Sequence, residues 1–195
     1  MTLPNQLSIL RIILSPVFLY LFLSENTTVK TIGFAIYVIA SLTDWYDGWH
    51  ARKYGQITRW GVFLDPFADK VLTSFAFVLF YLYGIVPIWM VIIIVMRDIF
   101  ITLLRSYHEA NGVTMKTSWV AKAKTFFQMV YIFAVLSILM YDAVGGDREF
   151  ANQLISLLYS DTNYYIMFFI TAITLYTGIA YFFEKKRAER INGNN

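Results

Sequence analysis

The stretch Thr43 to Lys70, TDWYDGWHARKYGQITRWGVFLDPFADK, decides how this chain is read. It is a polar passage between two apolar runs, and Asp44, Asp47, Asp65 and Asp69 fall within its 26 positions from Asp44 to Asp69, although the chain has only 13 acidic residues. Asp44 and Asp47 are three apart, and Gly48 and Ala51 continue the same helical face, so two carboxylates stand beside backbone with almost no side chain. A bulky ligand can lie close to such a surface. Gly61, Asp65 and Asp69 repeat the device at four-residue steps on the next helix. Pro66 suits a first helical turn, which predicts a helix starting close to Asp65.

Outward from this passage the chain is apolar. Runs extend from Leu7 to Leu23, Val29 to Leu42, Val71 to Tyr83, Val86 to Leu104, Val120 to Tyr141 and Tyr164 to Phe183. A bilayer crossing takes about 20 helical residues, so the second and third runs must extend into the aspartate passage, making it partly helical. The expected fold class is an all-α integral membrane protein: one bundle of six transmembrane helices, residues 1–195 forming a single domain. Composition agrees, with 58% hydrophobic and 15% charged residues in 195, against about 45–50% and about 25% in soluble chains. That balance excludes a disordered chain and a nucleic-acid-binding module. The absence of cysteine removes disulfides, thiolate metal sites and cysteine nucleophiles. No basic segment precedes the first run and Ser24, Glu25 and Asn26 follow it, so it is expected to remain a membrane helix rather than act as a cleaved signal. The longest other hydrophilic excursion is Asp142 to Asn163.

Charge sets the expected orientation. Of 16 Lys and Arg, 13 fall on the side shared by both termini and the aspartates; Lys30 and Arg148 fall opposite, and Arg97 lies inside the fourth run. Excess positive charge marks the cytoplasmic side, so the termini and the aspartate passage are expected there. The basic tail Glu184 to Arg190 reads as an exposed helix end or a contact for anionic lipid.

Four carboxylates gathered at a membrane surface repel one another unless cations are bound. An all-oxygen set without cysteine or paired histidine favours Mg²⁺ or Mn²⁺ over Zn²⁺, and two such ions about 4 Å apart form the usual clamp for phosphoryl chemistry. The plainer alternative is that these aspartates cap helix ends. The two histidines, His50 and His108, are isolated, and no Ser-His-Asp arrangement suggests a covalent intermediate.

The pattern Asp44-x-x-Asp47-Gly48-x-x-Ala51-Arg52, eight residues to Gly61, three to Asp65 and three to Asp69 resembles the signature of the CDP-alcohol phosphatidyltransferase family. The resemblance implies a six-helix topology with a cytoplasm-facing site and two divalent ions held by Asp44, Asp47, Asp65 and Asp69 on the diphosphate of a CDP-linked lipid. It makes Asp69 the candidate general base, and Gly48, Ala51, Arg52 and Gly61 the walls of the cytidine diphosphate pocket. It also implies a homodimer.

Pro4-Asn5-Gln6-Leu7-Ser8-Ile9-Leu10-Arg11 is similar to the Pro-Asn-x-Leu-Thr-x-x-Arg opening of bacterial members that use glycerol 3-phosphate, which places Asn5, Ser8 and Arg11 near the nucleotide. On physics alone, Arg11 could instead snorkel to the interface. Arg97 inside an apolar helix is costly enough to be a functional candidate, with an internal pair to Asp98 as the plain reading. Arg105, Lys122 and Lys124 add charge at the same membrane face and, with Arg97, could hold the phosphate of an anionic acceptor. Met96 to Arg105 and Ala121 to Thr125 resemble segments of the same subfamily, with Asp98 for its usual Glu and Ala121 for Gly, and in the aspartate motif Val62 stands where a Lys often follows the glycine. The expected reaction is phosphatidyl transfer from CDP-diacylglycerol to glycerol 3-phosphate. Inositol phosphate as acceptor is the near alternative and a divalent-cation transporter the distant one. A transporter site would sit nearer the bilayer midplane in a repeated architecture, and no repeat is visible.

Overall fold

In a computed structural model the backbone is described for residues 3–54, 59–110 and 119–192, and side chains for residues 5–43, 64–108 and 119–181. Among the described residues all regular structure is helical: α1 (Leu3–Phe22), α2 (Thr27–Tyr54), α3 (Arg59–Leu82), α4 (Ile88–Ala110), α5 (Trp119–Val144), α6 (Arg148–Leu158) and α7 (Asp161–Asn192). As expected, α2 and α3 run into the aspartate passage from both sides. One boundary differs: α3 starts at Arg59, so Pro66 falls in its interior rather than in a first turn. The ring then removes one backbone hydrogen bond, toward the carbonyl four residues earlier, and the rest of the helix carries through.

Helix ends have local causes. Asn26 accepts from the backbone N–H groups of Thr28 at 2.9 Å and Val29 at 3.4 Å, opening α2. Gly84, at φ 72°, closes α3: its N–H bonds Tyr81 and that of Ile85 bonds Phe80, both at 2.9 Å. This paired closure needs a left-handed residue, which glycine adopts without strain. Asp147 caps α6 by accepting from the Phe150 N–H at 3.0 Å.

The six long helices alternate in direction, so the starts of α2, α4 and α7 meet the ends of α1, α3 and α5 at one end of the bundle. Tyr83 Oη bonds the Phe22 carbonyl and Thr27 Oγ1 bonds that of Ala143 there. An apolar core fills the middle and this end, including Phe18, Phe22, Tyr37, Phe77, Phe80 and Ile132. Phe18 and Tyr37 rings lie 4.9 Å apart, and Phe80 meets Tyr131 edge-on at 6.0 Å. The outer surface is apolar too: Ile13, Tyr20, Phe126 and Phe169 are all more than half exposed. A water-facing protein does not present such a surface; this is a membrane protein.

Among the described residues, Asn5–Phe22, Trp119–Val144 and Asp161–Tyr181 are long and apolar enough to cross a bilayer, and Thr27–Thr43 is a shorter apolar stretch. α3 and α4 carry charges in the helix itself, Asp65, Asp69 and Lys70 in one and Arg97, Asp98 and Arg105 in the other. The hydrophilic excursion after α5 contains α6, a short amphipathic helix. Its Ala151 and Leu158 are buried, while Glu149, Asn152, Gln153 and Ser156 are exposed.

Candidate active site

The opposite end of the bundle is built around buried polar groups. On α3, Asp65 and Asp69 stand one helical turn apart, each partly buried. The Ser8 hydroxyl of α1 donates to the Asp65 carboxylate. One turn further along α1, Arg11 is buried to 1% exposure and its Nε donates to the Ala40 carbonyl of α2 at 3.2 Å. Snorkelling is therefore excluded; the guanidinium turns inward. Ala40 also accepts from Thr43 Oγ1 at 2.8 Å, one turn before Asp44 along α2. α1 thus links the approaches to both halves of the aspartate motif, and Asn5, 7% exposed, lies buried on the same helix.

Asp44, Asp47, Gly48, Ala51 and Arg52 lie in the last turns of α2 and Gly61 near the start of α3; their side chains are outside the described residues. Accordingly, among the described residues no group of three or more potential metal-ligating side chains occurs. The two carboxylates that are described suit a hard cation: both offer oxygen only, both are partly accessible, and Ser8 fixes the orientation of one. Asp69 Oδ2 is 2.8 Å from Lys70 Nζ.

A second cluster joins α4, α5 and α7. Asp98, 4% exposed, takes Lys124 of α5, 3% exposed, and Arg97 Nη1 at 3.0 Å on the same oxygen. Arg97 Nη2 donates to Thr177 Oγ1 of α7 at 2.8 Å. The internal Arg97–Asp98 pair that the sequence allowed is present, but it is one edge of a larger network. Lys70 connects the clusters: while paired with Asp69, it also acts electrostatically on Asp98 and Lys124. Two cations around one buried carboxylate leave net positive charge inside the protein.

The lysines grouped by sequence part company here. Lys124 points into the bundle, whereas Lys122, two positions away on the helix, is exposed. Arg105 is partly buried, two turns beyond Arg97. Sequence reading missed two contributors: Lys70, which directly follows the last aspartate, and Thr177. The available signal was the buried row Thr171, Thr174 and Thr177, a small polar stripe inside an apolar helix.

Comparison with known proteins shows the family. Residues 1–180 match the CDP-alcohol phosphatidyltransferase family. The chain belongs to that family. Its relatives include the CDP-diacylglycerol--glycerol-3-phosphate 3-phosphatidyltransferase of Bacillus subtilis (strain 168), 32% identical over 184 residues, 88% of this chain and 90% of that one. The protein of the same name from Rickettsia typhi is 35% identical over 181 residues, 92% of this chain and 94% of its own. A probable phosphatidylglycerophosphate synthase of Mycobacterium tuberculosis is 37% identical over 133 residues, 67% of this chain and 63% of its own. Membership makes this chain a CDP-alcohol phosphatidyltransferase.

Proposed function

We propose that this membrane enzyme transfers the phosphatidyl group of CDP-diacylglycerol to sn-glycerol 3-phosphate, giving phosphatidylglycerophosphate and CMP. The observation that carries the reading is similarity over most of both chains to transferases named for this donor and this acceptor. The inward cations support it. An acceptor that brings its own phosphate gives Arg97 and Lys124 a partner beyond the single carboxylate of Asp98.

In this reading Asp44, Asp47, Asp65 and Asp69 hold two divalent ions, Mg²⁺ or Mn²⁺. When bound, such ions supply charge neutralisation at the diphosphate and stabilise departing CMP. Asn5, Ser8, Arg11, Gly48, Ala51, Arg52 and Gly61 cradle the nucleotide end of the donor, with Ser8 and Arg11 also fixing α3 and α2. Arg97, Arg105 and Lys124 draw in the acceptor phosphate, while Lys122, exposed on α5, stands outside that group. Asp69 takes the proton of the acceptor hydroxyl as its oxygen attacks the lipid-bearing phosphorus in line with the bond to CMP. No covalent enzyme intermediate is needed.

The six long helices all span the membrane, with both termini and the site at the cytoplasmic face of the bacterial inner membrane, as the charge asymmetry supports. The 195 residues act as one unit, and two copies associate as a homodimer. The test is CMP release by purified protein in lipid with Mg²⁺, CDP-diacylglycerol and a panel of glycerol 3-phosphate, inositol phosphate, inositol and serine. Release with glycerol 3-phosphate well above the others is expected. Preference for inositol phosphate would move the acceptor assignment, and CMP release with none would overturn glycerol 3-phosphate as acceptor and point to an alcohol outside the panel.

A further inference from the structure

The last helix reaches Arg97 through two neighbouring residues, Thr177 and Gly178. Thr177 Oγ1 directs its proton to its own helix, with the Ile173 carbonyl at 2.9 Å and the Thr174 carbonyl at 3.0 Å. A hydroxyl so committed offers its lone pair outward, and Arg97 Nη2 meets it at 2.8 Å. The next residue, Gly178, supplies the space. A Cβ there would stand 3.1 Å from Arg97 Cγ, tighter than ordinary contact, and 3.4 Å from its Nε. The arginine stem therefore lies flat on a patch of α7 backbone while its far end is held by Thr177 and Asp98. Meanwhile Arg97 Nε is buried without a hydrogen-bond partner. A buried guanidinium N–H left this way is costly.

We propose that Thr177 and Gly178 form a seat on α7 that positions the Arg97 guanidinium for the phosphate of the acceptor, so that the last helix sets acceptor affinity. Thr177 and Gly178 are positioning residues: they touch Arg97, and Arg97 meets the acceptor. The inference rests on the proposed transfer to a phosphorylated alcohol and names what tunes that site.

The test measures KM for glycerol 3-phosphate, KM for CDP-diacylglycerol and kcat in wild type, Thr177→Val, Thr177→Ser and Gly178→Ala, all in lipid with Mg²⁺. Valine keeps the shape but removes the acceptor lone pair, so its glycerol 3-phosphate KM is expected to rise about tenfold, the effect of losing a hydrogen bond to a charged group. The CDP-diacylglycerol KM should stay within about twofold of wild type in the same assay. Serine restores the lone pair and should return the acceptor KM to within about threefold of wild type. Gly178→Ala removes no hydrogen bond yet displaces the stem, and should also raise the acceptor KM selectively. It decides the matter if Thr177→Val does not fold. Equal behaviour of valine and serine, parallel shifts in both KM values, or an unchanged acceptor KM in Gly178→Ala would overturn the seat. A wild-type enzyme that releases no CMP with glycerol 3-phosphate would instead overturn the transfer reading itself.

Discussion

Two buried polar nodes lie at opposite ends of this bundle and follow different rules. At the end where α3 closes and α7 begins, Asn163 is 5% exposed and fully engaged: its Nδ2 donates to the Leu158 carbonyl at 2.7 Å and the Ile85 carbonyl at 3.3 Å, while its Oδ1 accepts from Tyr131 Oη at 3.0 Å. That node is neutral, and it ties the turn after α3 and the α6–α7 junction to α5. At the aspartate end, Asp98 serves two cations, Arg97 keeps a buried Nε without a partner, and Lys70 links the network to Asp69. A node that is neutral and satisfied contributes stability and nothing else. A node with surplus charge and an unmet donor stores capacity for a ligand, at a cost the apolar core must offset.

Substitutions can break this contrast in graded steps. Asp69→Asn should lower kcat by about 10²–10⁴-fold if it removes the general base, with CDP-diacylglycerol binding largely kept; CMP release under saturating substrates checks this. Next, Asp98→Ala strands Lys124 and Arg97 as buried cations, and breaking a buried pair in this way costs about 3–5 kcal/mol. Its thermal unfolding in detergent should fall well below that of wild type, and an unchanged midpoint would show that the cations find other partners. Asn163→Leu should cost about 1–3 kcal/mol, because the Tyr131 hydroxyl and two carbonyls lose their partner. Here both KM values are expected to stay put, so a selective change in either would erase the distinction between the ends. Smallest is Ser8→Ala, which frees the Asp65 carboxylate at about 0.5–1.5 kcal/mol. Its signature is a several-fold higher CDP-diacylglycerol KM with the acceptor KM unchanged.

Much of the fold was legible because lipid imposes a simple pattern. Each apolar run in the sequence corresponds to a long helix, and the two short runs extend into the aspartate passage as the bilayer thickness demanded. α6 escaped because its apolar residues recur at helical spacing instead of forming a run: Ala151, Leu154, Ile155 and Leu158 are interleaved with Asn152, Gln153 and Ser156. α3 starts earlier than the first-turn rule for Pro66 predicts, because a helix interior can absorb one missing donor.

For the site, spacing within one helix was informative and contacts between helices were not. Asp65 and Asp69 stand one turn apart as the four-residue step required, but nothing in the order of residues says that Ser8 meets Asp65 across 57 positions. Nor does it say that Arg97 reaches Thr177 across 80. Arg11 shows the same limit: an arginine near a helix end fits both an interfacial and a buried placement, and the carbonyl of Ala40 on a neighbouring helix decides between them. Lys122 and Lys124 looked equivalent in sequence, and helical geometry sends one outward and one in.

The central claim is that the charged node reads the phosphate of the acceptor. It is tested most directly by the ratio of kcat/KM for glycerol 3-phosphate to that for glycerol, measured in wild type, Arg97→Gln and Asn163→Leu. The ratio should fall at least about tenfold in Arg97→Gln, the loss of a charge-assisted contact, and stay at the wild-type value in Asn163→Leu. A ratio that Arg97→Gln leaves untouched would contradict the account.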